Sequence, residues 1–232
     1  MIETRGLVKT FGLKPVLRGI DFSCSAGEFV ALVGPNGAGK TTFLRILATL
    51  ASPTAGALRI AGLPLPGAAE QVRRQLGVLA HQPLLYADLT AAENLRFFGR
   101  MYSVPNRETR AQELLKLVGL WSVRNEPVRA FSRGMQQRLA IARSVLHRPA
   151  VLLFDEPHTG LDQEAADMLD GLMLEVASEG RTVVMTTHDL GRAHRLSSRV
   201  DVLSRGLVRT SVSTHQVTEE ELVEKYREVT FV

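Results

Sequence analysis

The stretch Gly34-Pro35-Asn36-Gly37-Ala38-Gly39-Lys40-Thr41-Thr42 constrains this chain more than any other. It fits G-x-x-x-x-G-K-[ST], a phosphate-binding loop (P-loop) that requires a strand before it and a helix after it. Both flanks are present. Phe29-Val30-Ala31-Leu32-Val33 is a continuous apolar run, and Phe43-Leu44-Arg45-Ile46-Leu47 is amphipathic. The glycines let successive backbone N–H groups converge on one concavity, and the helix adds unpaired amides and the positive end of its dipole. Lys40 is then placed to reach the β- and γ-phosphates, and the Thr41 hydroxyl to ligate Mg²⁺.

The 232 residues suit one α/β domain with room for a subdomain. The formal net charge of +4 fits an anionic ligand or membrane surface, without a basic tract that would argue for nucleic acid. A single cysteine, Cys24, excludes an internal disulfide and a multi-cysteine metal site. No apolar run approaches the ~18 residues of a membrane span, and Met1 to Arg5 carries no apolar signal core. Work at a membrane therefore calls for another chain to supply the spanning part.

The remaining pattern predicts a P-loop NTPase core with a mainly parallel sheet, an antiparallel β-subdomain and an inserted helical subdomain. Leu7 to Phe11, Val16 to Cys24 and Leu58 to Gly62 read as strands of the outer sheet, with Pro64 to Gly67 a loop and Glu70 to Leu76 a short helix. Gly77 to Ala80 is a core strand that stops just before Gln82. From residue 83 to 148 strand signals cease. Thr90-Ala91-Ala92-Glu93 is a capping box, Arg110 to Val118 a second helix, and Ser132 an N-cap for a third. Residues 1–82 and 149–232 are assigned to the core and β-subdomain. Val151 to Phe154 and Thr182 to Thr187 have the unbroken apolar character of parallel strands buried on both faces.

Three further positions lie at the ends of these strands. Asp155 is where a P-loop enzyme holds its magnesium, and Glu156 beside it suits a general base. His188 ends a neighbouring strand and would face the same crevice, within reach of a γ-phosphate. Phe11, in a Gly-flanked turn, is either a stacking surface for adenine or an ordinary edge-strand aromatic.

In order and spacing these sites resemble the ATP-binding subunits of ABC transporters over nearly the whole chain. The resemblance implies roles residue by residue. Phe11 matches the family's aromatic A-loop residue, Gly34 to Thr42 the Walker A loop, and Gln82 the Q-loop glutamine that meets Mg²⁺ and the attacking water. Asp155 and Glu156 match the Walker B aspartate and catalytic glutamate, Asp162 the D-loop aspartate, and His188 the switch histidine. The signature sequence, usually Leu-Ser-Gly-Gly-Gln, reads Phe131-Ser132-Arg133-Gly134-Met135. Ser132 and Gly134, to which the family assigns the phosphate contact, are kept; the glutamine on the ribose side is replaced.

The resemblance also implies ATP and Mg²⁺ as ligands, a head-to-tail dimer in which Ser132 and Gly134 close over the partner's ATP, and a separate transmembrane permease. It places the chain on the cytoplasmic side of a membrane and implies no nucleic-acid partner, the alternative within the family being a non-transport ATPase acting on nucleic acid or ribosomes. Ser132-Arg133-Gly134-Met135 followed by Gln-Gln-Arg is similar to exporter-type subunits, among them the haem exporters of cytochrome c maturation and the multidrug and polysaccharide exporters. Leu84 to Phe98 is either a permease-docking surface, with Leu85, Tyr86 and Leu89 as its apolar patch, or ordinary packing.

Overall fold

The computed structural model describes residues 1–80 and 82–230. The chain begins with an antiparallel hairpin, β1 (Ile2–Phe11) and β2 (Lys14–Cys24), then passes through β3 (Phe29–Val33) into α1 (Lys40–Leu47). β4 (Ala55–Ile60) and β5 (Leu63–Leu65) follow, then α2 (Ala69–Arg73) and β6 (Leu76–Leu79). Helices α3 (Ala91–Met101), α4 (Arg107–Leu117) and α5 (Arg133–Val145) come next. The chain closes through β7 (Val151–Asp155), α6 (Gln163–Ser178), β8 (Thr182–Thr186), α7 (Leu190–Leu196), β9 (Arg199–Ser204), β10 (Leu207–Ser213) and α8 (Glu219–Thr230).

Two sheets result. The larger has the order β10-β9-β3-β8-β7-β6, parallel throughout except for the β9–β10 hairpin at its edge. The smaller, β2-β1-β4-β5, is antiparallel. Every residue of β3, β7 and β8 is buried, which explains the unbroken apolar runs. Alternation sends Phe29, Ala31 and Val33 into a core shared with α3, α4, α5 and α6, while Val30 and Leu32 enter a second core shared with α1 and the small sheet. The large sheet is thus covered on both faces, as a parallel sheet requires.

Local signals account for many helix starts. Thr90 and Glu93 form the reciprocal capping box on α3, and Thr218 and Glu221 do the same for α8. Ser132, Asp162 and Asp189 cap α5, α6 and α7.

Element bounds shift by a few residues in several places, and three differences have a clear local cause. Pro64 and Leu65, expected to begin a loop, belong to β5; Pro64 is tolerated because β5 is an edge strand and needs no amide there. The helix expected over 70–76 stops at Arg73, since Leu76 turns into the large sheet opposite Val151. β1 starts at Ile2 rather than Leu7, because Gly6, at a φ of 54°, lets the strand continue through a break in register.

Candidate active site

The strand β3 delivers the loop at residues 34–39 into a tight slot. A side chain at Gly34 would meet the Leu203 carbonyl at 2.1 Å, and one at Gly39, whose φ is 110°, would meet Leu17 Cδ2 at 2.7 Å. Only glycine fits either place. The loop is braced by the β9–β10 turn, where Gly206 N donates to the Ala38 carbonyl at 3.1 Å. Pro35, Asn36 and Gly37 are exposed at its crest, while Ala38, Gly39 and Lys40 are buried. α1 starts at Lys40 with no side-chain cap and no acidic residue in its first turn, so its leading amides point into the concavity unopposed.

Lys40 folds over this loop, its Nζ donating to the Gly34 carbonyl at 2.6 Å and the Pro35 carbonyl at 3.4 Å. Burial holds its pKa below the usual lysine value, with the carboxylates of Glu156 and Asp155 pulling the other way. Thr41 Oγ1 donates to Asp155 Oδ1 at 3.1 Å, and Thr186 Oγ1 donates to the same oxygen at 2.7 Å. A hydroxyl and a carboxylate side by side are hard oxygen donors of the kind magnesium takes when substrate phosphates complete its shell. Among the described residues no group of three or more His, Cys, Asp and Glu could hold a metal alone. Thr42 is half-buried beside Thr41 on α1.

Glu156 follows Asp155 at a φ of 50°, a left-handed conformation unusual for a residue with a Cβ. Its amide is held by the carbonyl and the hydroxyl of Thr186, both at 3.1 Å. Its Oε2 lies 2.9 Å from His188 Nδ1. Since a carboxylate only accepts, Nδ1 carries the proton and Nε2 of this exposed ring is turned to other partners. A cavity of about 300 Å³ lies against Asp155 and Glu156, lined also by Pro83, Arg133, Gln136, Gln137, Thr159 and Gly160. Gln82 precedes Pro83 and is exposed, with no bonded partner among the described residues. Its neighbour His81 lies outside them.

The other sequence-predicted residues are distributed around this centre. Phe11 is 54% exposed at the tip of the β1–β2 hairpin, with Lys9 Nζ 4.8 Å above its ring. The same hairpin brings the Val16 carbonyl to within 3.2 Å of a Cβ built on Gly39, so the tip stands beside the loop. Ser132 caps α5 by accepting from Met135 N at 3.2 Å, and both Ser132 and Arg133 are exposed. Gly134 faces the Gly160 carbonyl, which would lie 3.3 Å from a Cβ placed there. Asp162 caps α6 by accepting from Ala165 N at 2.8 Å. No contact links Ser132 to Lys40 within the described residues.

The sequence did not single out Thr186, whose hydroxyl serves both acids, or Gln137, whose Nε2 donates to the Pro157 carbonyl at 2.8 Å. Thr186 sits at the end of a run already read as a buried strand. A hydroxyl there, level with the Asp-Glu pair, was the available signal. Cys24 is buried, with its thiol pKa pushed up to about 12 by burial, and acts as an apolar filler.

The sequence profile of the family described as ABC transporter matches residues 17–159, spanning the loop, the capped α5 and the two acids. The chain belongs to the ABC transporter family. As an ABC cassette it binds and hydrolyses ATP. It is 37% identical over 224 residues to Nod factor export ATP-binding protein I of Ralstonia nicotianae, covering 96% of this chain and 70% of that one. It is 34% identical to the protein of the same name from Rhizobium meliloti, over 95% and 67%. The fold superposes on an ATP-binding subunit of an ABC transporter with a TM-score of 0.89 at 30% identity, covering 97% and 99%. A dimeric ATP-binding cassette in a post-hydrolysis state bound to ADP and Pi gives 0.86 at 28% identity, over 92% and 99%.

Proposed function

We propose that this cassette powers an export system, as one of two ATPase subunits bound to a separate membrane permease at the cytoplasmic face. The observation that carries the chemistry is the contact between Glu156 Oε2 and His188 Nδ1 at the mouth of the loop that holds Lys40. Glu156 is the general base for the attacking water, oriented through one oxygen by His188. His188 Nε2 faces the γ-phosphate, Lys40 neutralises the β- and γ-phosphates, and Gln82 meets the water from the strand-end side. Phe11 stacks on the adenine. Thr41, Asp155 and Gln82 are the residues that would hold Mg²⁺, which supplies charge neutralisation at the phosphates when bound.

Ser132 stands exposed at the start of α5 with Gly134 half-buried beside it, and neither contacts the chain's own Lys40 among the described residues. That placement supports closure over ATP held by a second copy, with Asp162 at the seam between the two. The dimeric relative described above supports the same arrangement. Residues 1–82 and 149–232 then act as the nucleotide-binding body and 83–148 as the arm that carries the lid. No described helix is long and apolar enough to cross a membrane, so the permease is a separate partner in this reading.

The permease meets the arm through an apolar patch at its start. Leu84, Tyr86 and Met101 are exposed, and Tyr86 packs edge-on against Phe97 at 4.8 Å. Leu85 is half-buried against the main core and Leu89 is half-buried too, so the patch centres on Tyr86. The name shared by the two relatives supports export. The narrower assignment, haem export for cytochrome c maturation, draws on the stretch from Ser132 to Arg138 alone, and the Nod factor names favour another cargo.

One variant tests the reading. Glu156→Gln is expected to slow ATP turnover by about 10²- to 10⁴-fold, the range of a lost general base, while preserving an ATP-dependent dimer. A crosslinker placed at Tyr86 in that trapped complex should capture the copurified permease. Near-normal turnover in the variant removes Glu156 from its role, and a protein that stays monomeric with ATP removes the shared site.

A further inference from the structure

Beyond the residues that face nucleotide, a closed circuit of contacts runs through Asp170 on α6. His158, two residues past Glu156, places Nε2 2.6 Å from Asp170 Oδ1. The other oxygen, Oδ2, accepts from Arg192 at 2.6 Å and Arg195 at 2.8 Å, both on α7. Arg192 also pairs with Asp189 at 3.4 Å, and Asp189 caps α7 immediately after His188. The circuit closes where Glu156 meets His188. Asp170 is 7% exposed, and His158, Arg192 and Arg195 are its bonded partners among the described residues.

The fold does not need this network to hold α6 against α7. Leu169, Met173 and Val176 of α6 and Ala193 and Leu196 of α7 already lie in the main core. A buried ion pair also gains little net stability over apolar packing, because desolvation offsets its Coulombic attraction. What the network does supply is geometry. Asp170 ties the segment that follows Glu156 and the helix that follows His188 to one point. Two guanidiniums already answer the carboxylate's charge, and burial holds the His158 pKa below the ordinary histidine value. His158 therefore serves Asp170 as a neutral N–H donor. Its Nδ1 is buried without a partner, so the site offers no acceptor for the second N–H that a charged ring would carry.

We propose that His158 and Asp170 are positioning residues for ATP hydrolysis, a strut that fixes the separation of Glu156 and His188. The inference rests on the roles given to those two residues above. Glu156 sits in a left-handed conformation that its surroundings must enforce; Thr186 holds its amide and Thr159 N donates to its carbonyl at 3.2 Å, and the strut adds the tie from this segment to α6 and α7. Misplacing a base by an ångström costs about 10²-fold in rate at the extreme.

The test uses His158→Phe, which keeps the ring volume and removes the donor, beside His158→Gln, which returns an N–H at similar reach. In the dimer assembled with its permease, His158→Phe should lower kcat for ATP about tenfold with KM for ATP unchanged within about twofold. His158→Gln should restore kcat to within about twofold of wild type. Asp170→Asn should fall with His158→Phe. Wild-type kcat in His158→Phe overturns the strut, as does an equal loss in both His158 variants or a KM that rises in step with the loss of kcat. Glu156→Gln is run alongside. If it is inert while His158→Phe is normal, the strut alone fails; if it turns over freely, the underlying assignment of the base fails.

Discussion

Two helices of this cassette begin with a cation at the positive end of the helix dipole, α1 at the buried Lys40 and α5 at the exposed Arg133, and they are finished in opposite ways. α1 has no side-chain cap, and the loop before it is clamped against Leu203 and Leu17. α5 is capped by its own Ser132, and its leading residues stand exposed. Neither has an acidic residue in its first turn. The same dipole is available at both ends. On the proposed reading, the phosphate cradle is complete within one chain, whereas the start of α5 has a surface but no cradle of its own.

Between these two helix starts, the larger effect should come from breaking the first. Lys40→Ala removes the cation from a preorganised phosphate site, a loss of about 10²- to 10³-fold in turnover. Its urea midpoint should not fall with it, because Lys40 is buried and burial already disfavours its charge. Steady-state ATPase assays beside equilibrium unfolding separate the two quantities. Turnover within a few-fold of wild type would show that the start of α1 is not where the phosphates sit.

The start of α1 and the Ser132 cap of α5 were both legible in the sequence, and what was not legible was missed for a physical reason. Gly34, Gly39, Lys40 and Thr41 act through backbone shape over a few residues, so their spacing alone carries the site. Asp155, Glu156 and His188 sit where buried strands stop, which an apolar run reveals. Contacts between distant elements leave no such pattern. Gln137 reaching Pro157, Arg143 reaching the Val78 carbonyl and His158 reaching Asp170 follow from how helices lie on the sheet, and no periodicity encodes that. β5 was missed because Pro64 is a poor strand residue that an edge position makes harmless.

The far end of α5 offers a sharper contrast. His147, just beyond it, stacks on Tyr102 at 3.9 Å and donates Nε2–H to the Leu76 carbonyl at 3.0 Å. Burial pushes its pKa down to about 4, with Arg143 and Arg181 also disfavouring the charged ring and the Leu76 contact opposing them. Above pH ~6.5 the ring is neutral in folded and unfolded chains alike. As pH falls toward the folded value, the unfolded chain takes up the proton and the folded one does not, so stability drops by about 3 kcal/mol in all. His147→Gln keeps the donor and cannot titrate, so its urea midpoint should decline less between pH 6.5 and 4. An identical decline in both proteins would show that this end of α5 is not the acid-sensitive anchor. The P-loop end has no comparable buried imidazole among the described residues.

The smallest change in stability, and the one that separates a cap from a lid, is at Ser132. Ser132→Ala loses an N-cap and about 1 kcal/mol of stability, which any capped helix would show. Ser132→Asp does not lose it, because aspartate caps as well as serine and its charge suits a helix N-terminus. If Ser132 only caps α5, the aspartate variant should fold and turn over as wild type. If the start of α5 closes on a neighbour's triphosphate, the added charge meets like charge, and turnover should fall more than about tenfold with no loss of unfolding midpoint. Mixing this variant with Lys40→Ala protomers decides which cradle is affected. A mixed dimer retains one intact loop, on the Ser132→Asp chain, and that loop faces the unaltered Ser132 of its partner. It should recover measurable turnover, whereas a lid acting on its own chain's loop would leave the mixture inactive.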